Sequence, residues 1–446
     1  MSRLAPDPPA EAAPGLSPPH APAPAERAPA AAPDQRAAPG YYYGWVMLPL
    51  ATLLQIGTIP GQTFGVAVFN PSIRESLGLS HSGLSTCYLV ACLLAATPLT
   101  TIGALMDRYG LRRVTLGVVA LVGLGCVATS QAVGVVSLTA GFFLLRAFGQ
   151  GALSLAASNT LAMWFERRLG FVSGCLGAGM AGGIAVMPAL YLYSINQIGW
   201  RATYAAIGVA TWLVILPLFV WLYRNQPSDV GQRIDGGPSE DDSTAHAKPP
   251  AGPSFTLREA MRTRAYWIAL AVTAMYGMVA TGLFFNLVPL FEWRGLSAEA
   301  AAGSMAVFAG AMAYMQLQGG WLADRAPLHY LVSGCMAFQL LGVLALITTG
   351  GWLGSLAFAL ALGVGQGMLA AFGNTLWARY FGRAALGKIR SSVWTTNIAA
   401  CPLGPVILSA SYDGTGSFSL GLGVFAALLA CAAGAGLLAT RPAPPL

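Results

Sequence analysis

Twelve separate apolar stretches run along this chain, each close to the ~20 residues a helix needs to cross the hydrocarbon core of a bilayer. They fall at 44–69, 83–105, 114–131, 137–164, 169–195, 202–223, 266–290, 299–322, 329–349, 353–378, 391–411 and 417–439. With 55% hydrophobic and 9% charged residues, the chain cannot bury its apolar surface in a water-soluble globule, where about 25% of residues are charged. Lipid is its solvent, and the fold class is predicted as an all-α membrane protein of twelve transmembrane helices.

The basic residues orient these spans. Of twenty-four Lys and Arg, twenty lie in the N-terminal tail, the even-numbered loops and the C-terminus. Three, Arg74, Arg201 and Arg294, lie in odd loops, and Arg146 lies within the fourth span. The positive-inside rule therefore places both termini in the cytoplasm, as expected for a multi-pass protein of the cell (inner) membrane. The net charge of +7 comes from short dispersed clusters, not from a basic patch interleaved with aromatics, so nucleic acid is not an expected partner.

Residues 1–40, rich in Pro and Ala, lack the apolar core of a signal peptide and are expected to be a disordered cytoplasmic tail. Residues 224–265, centred on "GGPSEDDSTAHAKPPAGP", are expected to be a solvated cytoplasmic linker between a bundle at 41–223 and a second at 266–440, with 441–446 a short cytoplasmic end. All seven cysteines lie in apolar runs without the close Cys/His spacing of a metal site, so no metal or cofactor is expected.

The two bundles repeat each other at an offset of 215–217 residues. Gly103 and Asp107-Arg108 match Gly320 and Asp324-Arg325, Gly149-Gln150-Gly151 matches Gly365-Gln366-Gly367, Asn159-Thr160-Leu161 matches Asn374-Thr375-Leu376, and Pro188 matches Pro405. Six spans per repeat is an even number, so the repeats run parallel about an axis along the membrane normal. A substrate cavity is expected where they meet.

The stretch "GALMDRYGLRRV" at 103–114 resembles the loop motif between spans two and three of the major facilitator superfamily. Gly103, Leu105, Asp107, Arg108, Gly110, Arg112 and Arg113 match it, with Leu111 displacing the basic pair by one. A degenerate copy, "GGWLADRAPLHY", carries Asp324 and Arg325 between spans eight and nine. The resemblance implies that Asp107 sits against a helix N-terminus of the opposite half, closing the cytoplasmic face in one state. The alternative is a merely solvated loop with its arginines in water or on lipid headgroups.

Arg146 is the one ionisable side chain well inside a span, and its repeat counterpart is Leu362. An arginine at a helix centre costs at least ~2.5–3.5 kcal/mol unless something polar receives it. "RAFGQG" resembles the superfamily's fourth-span Arg motif; the partner is either an anionic substrate or structural, namely main-chain carbonyls or Gln62. Gln55, Thr58 and Gln62 share a helical spacing of i, i+3 and i+7 around Pro60-Gly61. With Tyr276, Phe285, Asn286, Gln316, Trp394 and Asn397 they are candidates either for interhelical bonding or for lining the cavity. Gly177, Gly179 and Gly182 spell a dinucleotide fingerprint, but inside an apolar span, so they signify helix packing.

The phrases "YYGWVMLPLATLLQIG", "FGVAVFNPSIRESLGLS", "NLVPLFEWRGLSAEAA" and "YDGTGSF" resemble the monocarboxylate and oxalate/formate branch. This chain departs from that branch in having Gln316 where an eighth-span arginine is common and no lysine in span eleven, which leaves Arg146 to supply the cation. The multidrug antiporter motif of span five lacks its proline here. The expected function is secondary transport of a small organic anion by a monomer in contact with lipid. Export of a neutral or amphipathic solute, and a non-transporting sensor of the same fold, are the alternatives. No ATP-binding motif and no nucleophile/base pair occur, so an enzyme is not expected.

Overall fold

The computed structural model describes residues 41–236, 255–382 and 386–442; the proposed tail, the middle of the linker and the last four residues lie outside them. Helix is the rule among the described residues, and no strand occurs. Hydrocarbon offers no hydrogen bonds, so backbone crossing it must bond to itself. Among the described residues nine helices are long and apolar enough to span a membrane, or ten counting Asn70–Leu77 with His81–Ala95, which meet at 111°.

That count falls short of the twelve expected spans for local reasons. The second span breaks into His81–Ala95 and Leu99–Tyr109 ahead of Pro98, and the eleventh into Leu386–Ala400 and Leu403–Thr415 around Pro402. Proline cannot donate to the turn before it. The fifth and sixth run on as one element from Leu169 to Ala210, and separate only in backbone direction at Gly199, where φ is 80° and ψ 163°. The first span, interrupted between Gly44–Ile56 and Thr63–Ala67 by the short turn Ile59–Gly61, still counts as one of the nine through Gly44–Gly61.

The helices pack across the expected boundary between repeats. His81–Ala95 lies against Leu403–Thr415, Thr63–Ala67 against Arg264–Phe285, and Leu169–Ala210 against Ala298–Arg325. Close approach is built in at Gly404, where a Cβ would stand 1.9 Å from the Met278 carbonyl oxygen and 2.9 Å from Gly282 N. No side chain larger than hydrogen fits there. Outward, Leu190, Tyr193, Leu213, Val214, Trp221 and Leu317 are exposed, an apolar surface that lipid covers.

The linker is built at both ends. Asn225 Oδ1 accepts from the Arg112 amide at 2.6 Å, Gln232 Oε1 from the Tyr43 amide at 2.8 Å, and Asp235 Oδ2 from the amides of Glu166 and Arg167 at 3.0 and 2.7 Å. Across the gap, Thr256 and Glu259 form a capping box that starts helix Leu257–Ala260. Residues 224–236 are thus strapped to the loops they pass, where the sequence suggested plain solvation.

Candidate functional site

Arg146 sits where the fourth-span helix widens, in a π-helical stretch from Leu145 to Leu153. Such widenings occur often at functional sites. Its Nη1 donates to the Gly61 carbonyl at 3.3 Å. That carbonyl is available because Gln62 is extended (φ −77°, ψ 151°), which ends the turn and leaves Gly61 without the helical donor it would otherwise serve. A Cβ on Gly61 would lie 2.2 Å from the Leu145 carbonyl, so glycine lets spans one and four touch backbone to backbone. Of the two structural partners offered by the sequence, the main-chain carbonyl is the one used; Gln62 Nε2 instead donates to Thr58 Oγ1 at 3.3 Å.

The guanidinium also lies 5.0 Å from the centre of the Tyr88 ring. Tyr88 is wholly buried, its hydroxyl 2.7 Å from Thr63 Oγ1 and its ring centre 4.5 Å from that of Phe285 in the opposite repeat. Cys92 bonds to the guanidinium and Cys401 is within its electrostatic reach, while no carboxylate figures among its interactions with the described residues. A half-buried cation with a carbonyl, a ring and thiols around it retains most of its charge uncompensated. Such a site can receive an anion.

The other candidate residues divide by burial. Thr58 is fully buried and bonds the Gln55 carbonyl at 2.7 Å. Tyr276 is buried with its hydroxyl 3.5 Å from the Leu362 carbonyl, at the position that mirrors Arg146. Phe285 packs on Tyr88, and buried Asn286 donates to the Gly282 carbonyl and accepts from Ser409 Oγ at 3.0 Å. Thr58, Tyr276 and Asn286 thus have their side-chain polar groups bonded to protein. Gln55, Gln62, Gln316 and Asn397 are half-exposed. Asn397 lies beside Gly277, where a Cβ would come within 2.4 Å of its Oδ1, and Gln316 faces Gly177 across the contact between spans five and eight. The side chain of Trp394 lies outside the described residues. Gln55, Thr58 and Gln62 do not keep the continuous helical face suggested by their spacing, because the break at 57–62 intervenes.

Tyr88 and Cys92 beside Arg146, and Thr63 behind Tyr88, were not singled out by sequence, and Gly61 was marked there only as a local loosening of the first span. Aromatic and small residues in an apolar span are ordinary core, so no signal marks them; the pairing of spans is what brings them to the arginine.

In the loop motif, Gly110 adopts φ 86° and ψ 147°, a region reserved for glycine. Its turn joins Leu99–Tyr109 to Leu111–Ser130. Arg112 turns inward: besides the amide bond to Asn225, its Nη2 donates to the Val220 carbonyl at 2.6 Å, tying the loop to the end of span six. Arg108 and Arg113 are exposed, and Gly103 faces Leu155 with room to spare. The side chains of Asp107 and Asp324 lie outside the described residues, and Arg325 is exposed at the end of Ala298–Arg325. A surface cavity of about 520 Å³ lies apart from Arg146, between Met163–Arg167 and Gln226–Asp235.

A second polar cluster closes the seam at the end of the bundle where spans one and two are joined, called the far end below. Asp413 accepts from Ser82 N at 2.7 Å, Ser82 Oγ at 2.5 Å and His81 N at 3.3 Å, capping helix His81–Ala95 from the opposite repeat. Ser85 Oγ lies 2.5 Å from Ser409 Oγ, and Asn70 Nδ2 donates to the Phe285 carbonyl at 2.6 Å. His81 pairs with Arg74. Burial, and next the Arg74 guanidinium, lower His81 to about 4 against the pull of Asp413. Burial alone would raise the Asp413 carboxyl, but the hydrogen bonds from Ser82 and His81 outweigh it and hold the group below the usual carboxylate range.

Comparisons with known proteins agree with this architecture. Human monocarboxylate transporter 11 is 29% identical over 349 residues, covering 74% of this chain and 68% of that protein. The oxalate:formate antiporter of Oxalobacter formigenes is 25% identical over 376 residues, covering 81% and 83%. Among solved structures, a bacterial homologue of the human lysosomal transporter Spinster, inward-facing and unoccupied, superposes with a TM-score of 0.69 over 90% of this chain and 99% of that one, at 16% identity, a likeness of fold. Residues 52–405 match the family model of the Major Facilitator Superfamily, and the chain is accordingly a multi-pass membrane transporter of that superfamily, not an enzyme.

Proposed function

We propose that this transporter carries a small organic anion of the monocarboxylate class by alternating access, as a monomer, with Arg146 as the anion contact. The observation that carries the reading is the setting of Arg146: a cation at the seam between the repeats, held by one carbonyl, one ring and the Cys92 thiol, with no carboxylate among its interactions with the described residues. A fixed cation in such surroundings is costly unless an anion visits it. The relatives named for monocarboxylate and for oxalate and formate support the same class. The two halves, 41–223 and 266–440, rock about this site; both termini are cytoplasmic, following the Lys/Arg bias, in the cell (inner) membrane. Asp107 acts as a cytoplasmic latch, with the loop held in place by Arg112 and Asn225.

The first test is thermal stabilisation of detergent-purified protein by formate, acetate, L-lactate, pyruvate and benzoate, with neutral solutes and cationic amphiphiles alongside. A ligand at a hundred times its Kd stabilises the folded state by ~2.7 kcal/mol. The reading expects a carboxylate to raise the melting temperature of the wild type and not of Arg146→Leu. Stabilisation by neutral or cationic compounds alone, or an equal carboxylate response in Arg146→Leu, would make Arg146 structural and favour export of another solute.

A further inference from the structure

The seam contains a second cation. Of the three arginines in odd loops, two are occupied by main-chain oxygens: Arg201 Nη2 donates to the Ala132 carbonyl at 2.8 Å and Arg294 Nη2 to the Thr349 carbonyl at 3.2 Å. Arg74 differs. Its hydrogen-bond partner is the His81 ring, and it lines a small cavity at the repeat boundary with Asn70, His81, Leu84, Phe285, Asn286 and Pro289. Glu292 is the acid within its electrostatic reach, and that side chain is exposed. Asn70 is 3% exposed; its Nδ2 donates across the seam to the Phe285 carbonyl, and its Oδ1 has no partner.

We propose that Arg74 and Asn70 form a second anion subsite, the first to receive a carboxylate entering from the far end. The subsite rests on the monocarboxylate reading above. Asn70 and Arg74 share the helix Asn70–Leu77, one turn apart, so they stay together when the repeats part. Parting removes the Phe285 carbonyl from Asn70 Nδ2, and the freed amide then stands beside the guanidinium. A carboxylate accepts from both. Closure restores the Asn70 bond to Phe285 and evicts the anion from this subsite. Inward of it, Phe285 and Tyr88 pack at a tilt of 45° as a partition, and Arg146 lies against the Tyr88 ring. Along the seam the order is therefore cation, aromatic pair, cation.

The test is transport in proteoliposomes of sorted orientation, using the radiolabelled monocarboxylate that the wild type carries fastest among formate, acetate, L-lactate, pyruvate and benzoate. Arg74→Gln is expected to raise the half-saturating concentration for entry from the far end by about tenfold, the worth of one charge-assisted hydrogen bond. Half-saturation for entry from the opposite side stays at the wild-type value, and Arg74→Lys restores most of the loss. An unchanged far-end value in Arg74→Gln, or an equal rise on both sides, overturns the subsite while leaving the transport reading intact. If the wild type carries none of the five acids, the monocarboxylate reading itself fails and the subsite with it.

Discussion

Replacing Asp413 should loosen the far-end seal by an amount the geometry sets. Its carboxylate receives two amides and a hydroxyl at the start of helix His81–Ala95, from the other repeat. A charge at a helix N-terminus is worth ~0.3–1 kcal/mol at an exposed site, and a cap replaced by alanine costs ~1 kcal/mol. Because Asp413 is exposed to water, we take ~1–2 kcal/mol for Asp413→Ala, which is about a 5- to 30-fold shift in the ratio of open to closed seal. Asp413→Asn keeps the acceptor and should lose about half of that. Ser85 provides the readout: it is fully buried against Ser409 in the closed seal, so a cysteine there reacts with a membrane-impermeant maleimide only when the seal opens. Labelling of Ser85→Cys should accelerate about 5- to 30-fold in Asp413→Ala, relative to the same protein with Asp413 intact. The seven native cysteines, measured without Ser85→Cys, give the background. An unchanged or slower rate would show that the Asp413 cap contributes nothing to closure.

Acid should open the same seal through His81, whose closed-state value near 4 lies below the ordinary 6.5 expected once it is exposed. Between those values the open form binds more protons, so closure weakens as pH falls from about 6.5 towards 4; Ser85→Cys labelling, divided at each pH by that of a permanently exposed cysteine to remove the falling thiolate fraction, should quicken from pH 7 to pH 5, and His81→Gln should flatten that dependence. Gly404→Ala places a methyl 1.9 Å from the Met278 carbonyl and should cost ~1–3 kcal/mol or more, seen as a lower melting temperature in detergent. Gly110→Ala must hold alanine at φ 86° and should cost ~1–2 kcal/mol by the same assay; a wild-type melting temperature in either variant would contradict the backbone geometry. Asn225→Ala removes the acceptor of the Arg112 amide and should lower stability by ~1 kcal/mol, with quickened proteolysis between residues 224 and 236 as the local readout.

The parts of the architecture that depend on apolar run length and repetition were legible in the sequence, because lipid imposes one solution on such a chain. The helical membrane fold and the Gly110 turn follow from apolar periodicity and the motif at 103–113. The isolated status of Arg146 was legible too, since a lone arginine in an apolar run is conspicuous. Its neighbours were not. Tyr88, Thr63 and Cys92 look like any other core residues until helix pairing brings them round the guanidinium. The first-span polar triplet was misread as one face because spacing assumes an unbroken helix, whereas extended Gln62 frees the very carbonyl that Arg146 uses. Likewise the linker's polar composition concealed Asn225, Gln232 and Asp235, whose bonds to distant amides no local pattern encodes.

Arg146→Leu loses the bonds to the Gly61 carbonyl and Cys92 and the contact with the Tyr88 ring while relieving a costly charge, so the variant should fold and permit a direct comparison of transport. The decisive measurement is counterflow in proteoliposomes preloaded with an unlabelled monocarboxylate and diluted into the same labelled acid, for wild type and Arg146→Leu reconstituted at equal, folded amounts. The account predicts transient accumulation of label by the wild type and none above empty liposomes for Arg146→Leu. Accumulation by Arg146→Leu at the wild-type rate, or counterflow by the wild type of neutral solutes but no carboxylate, would contradict it.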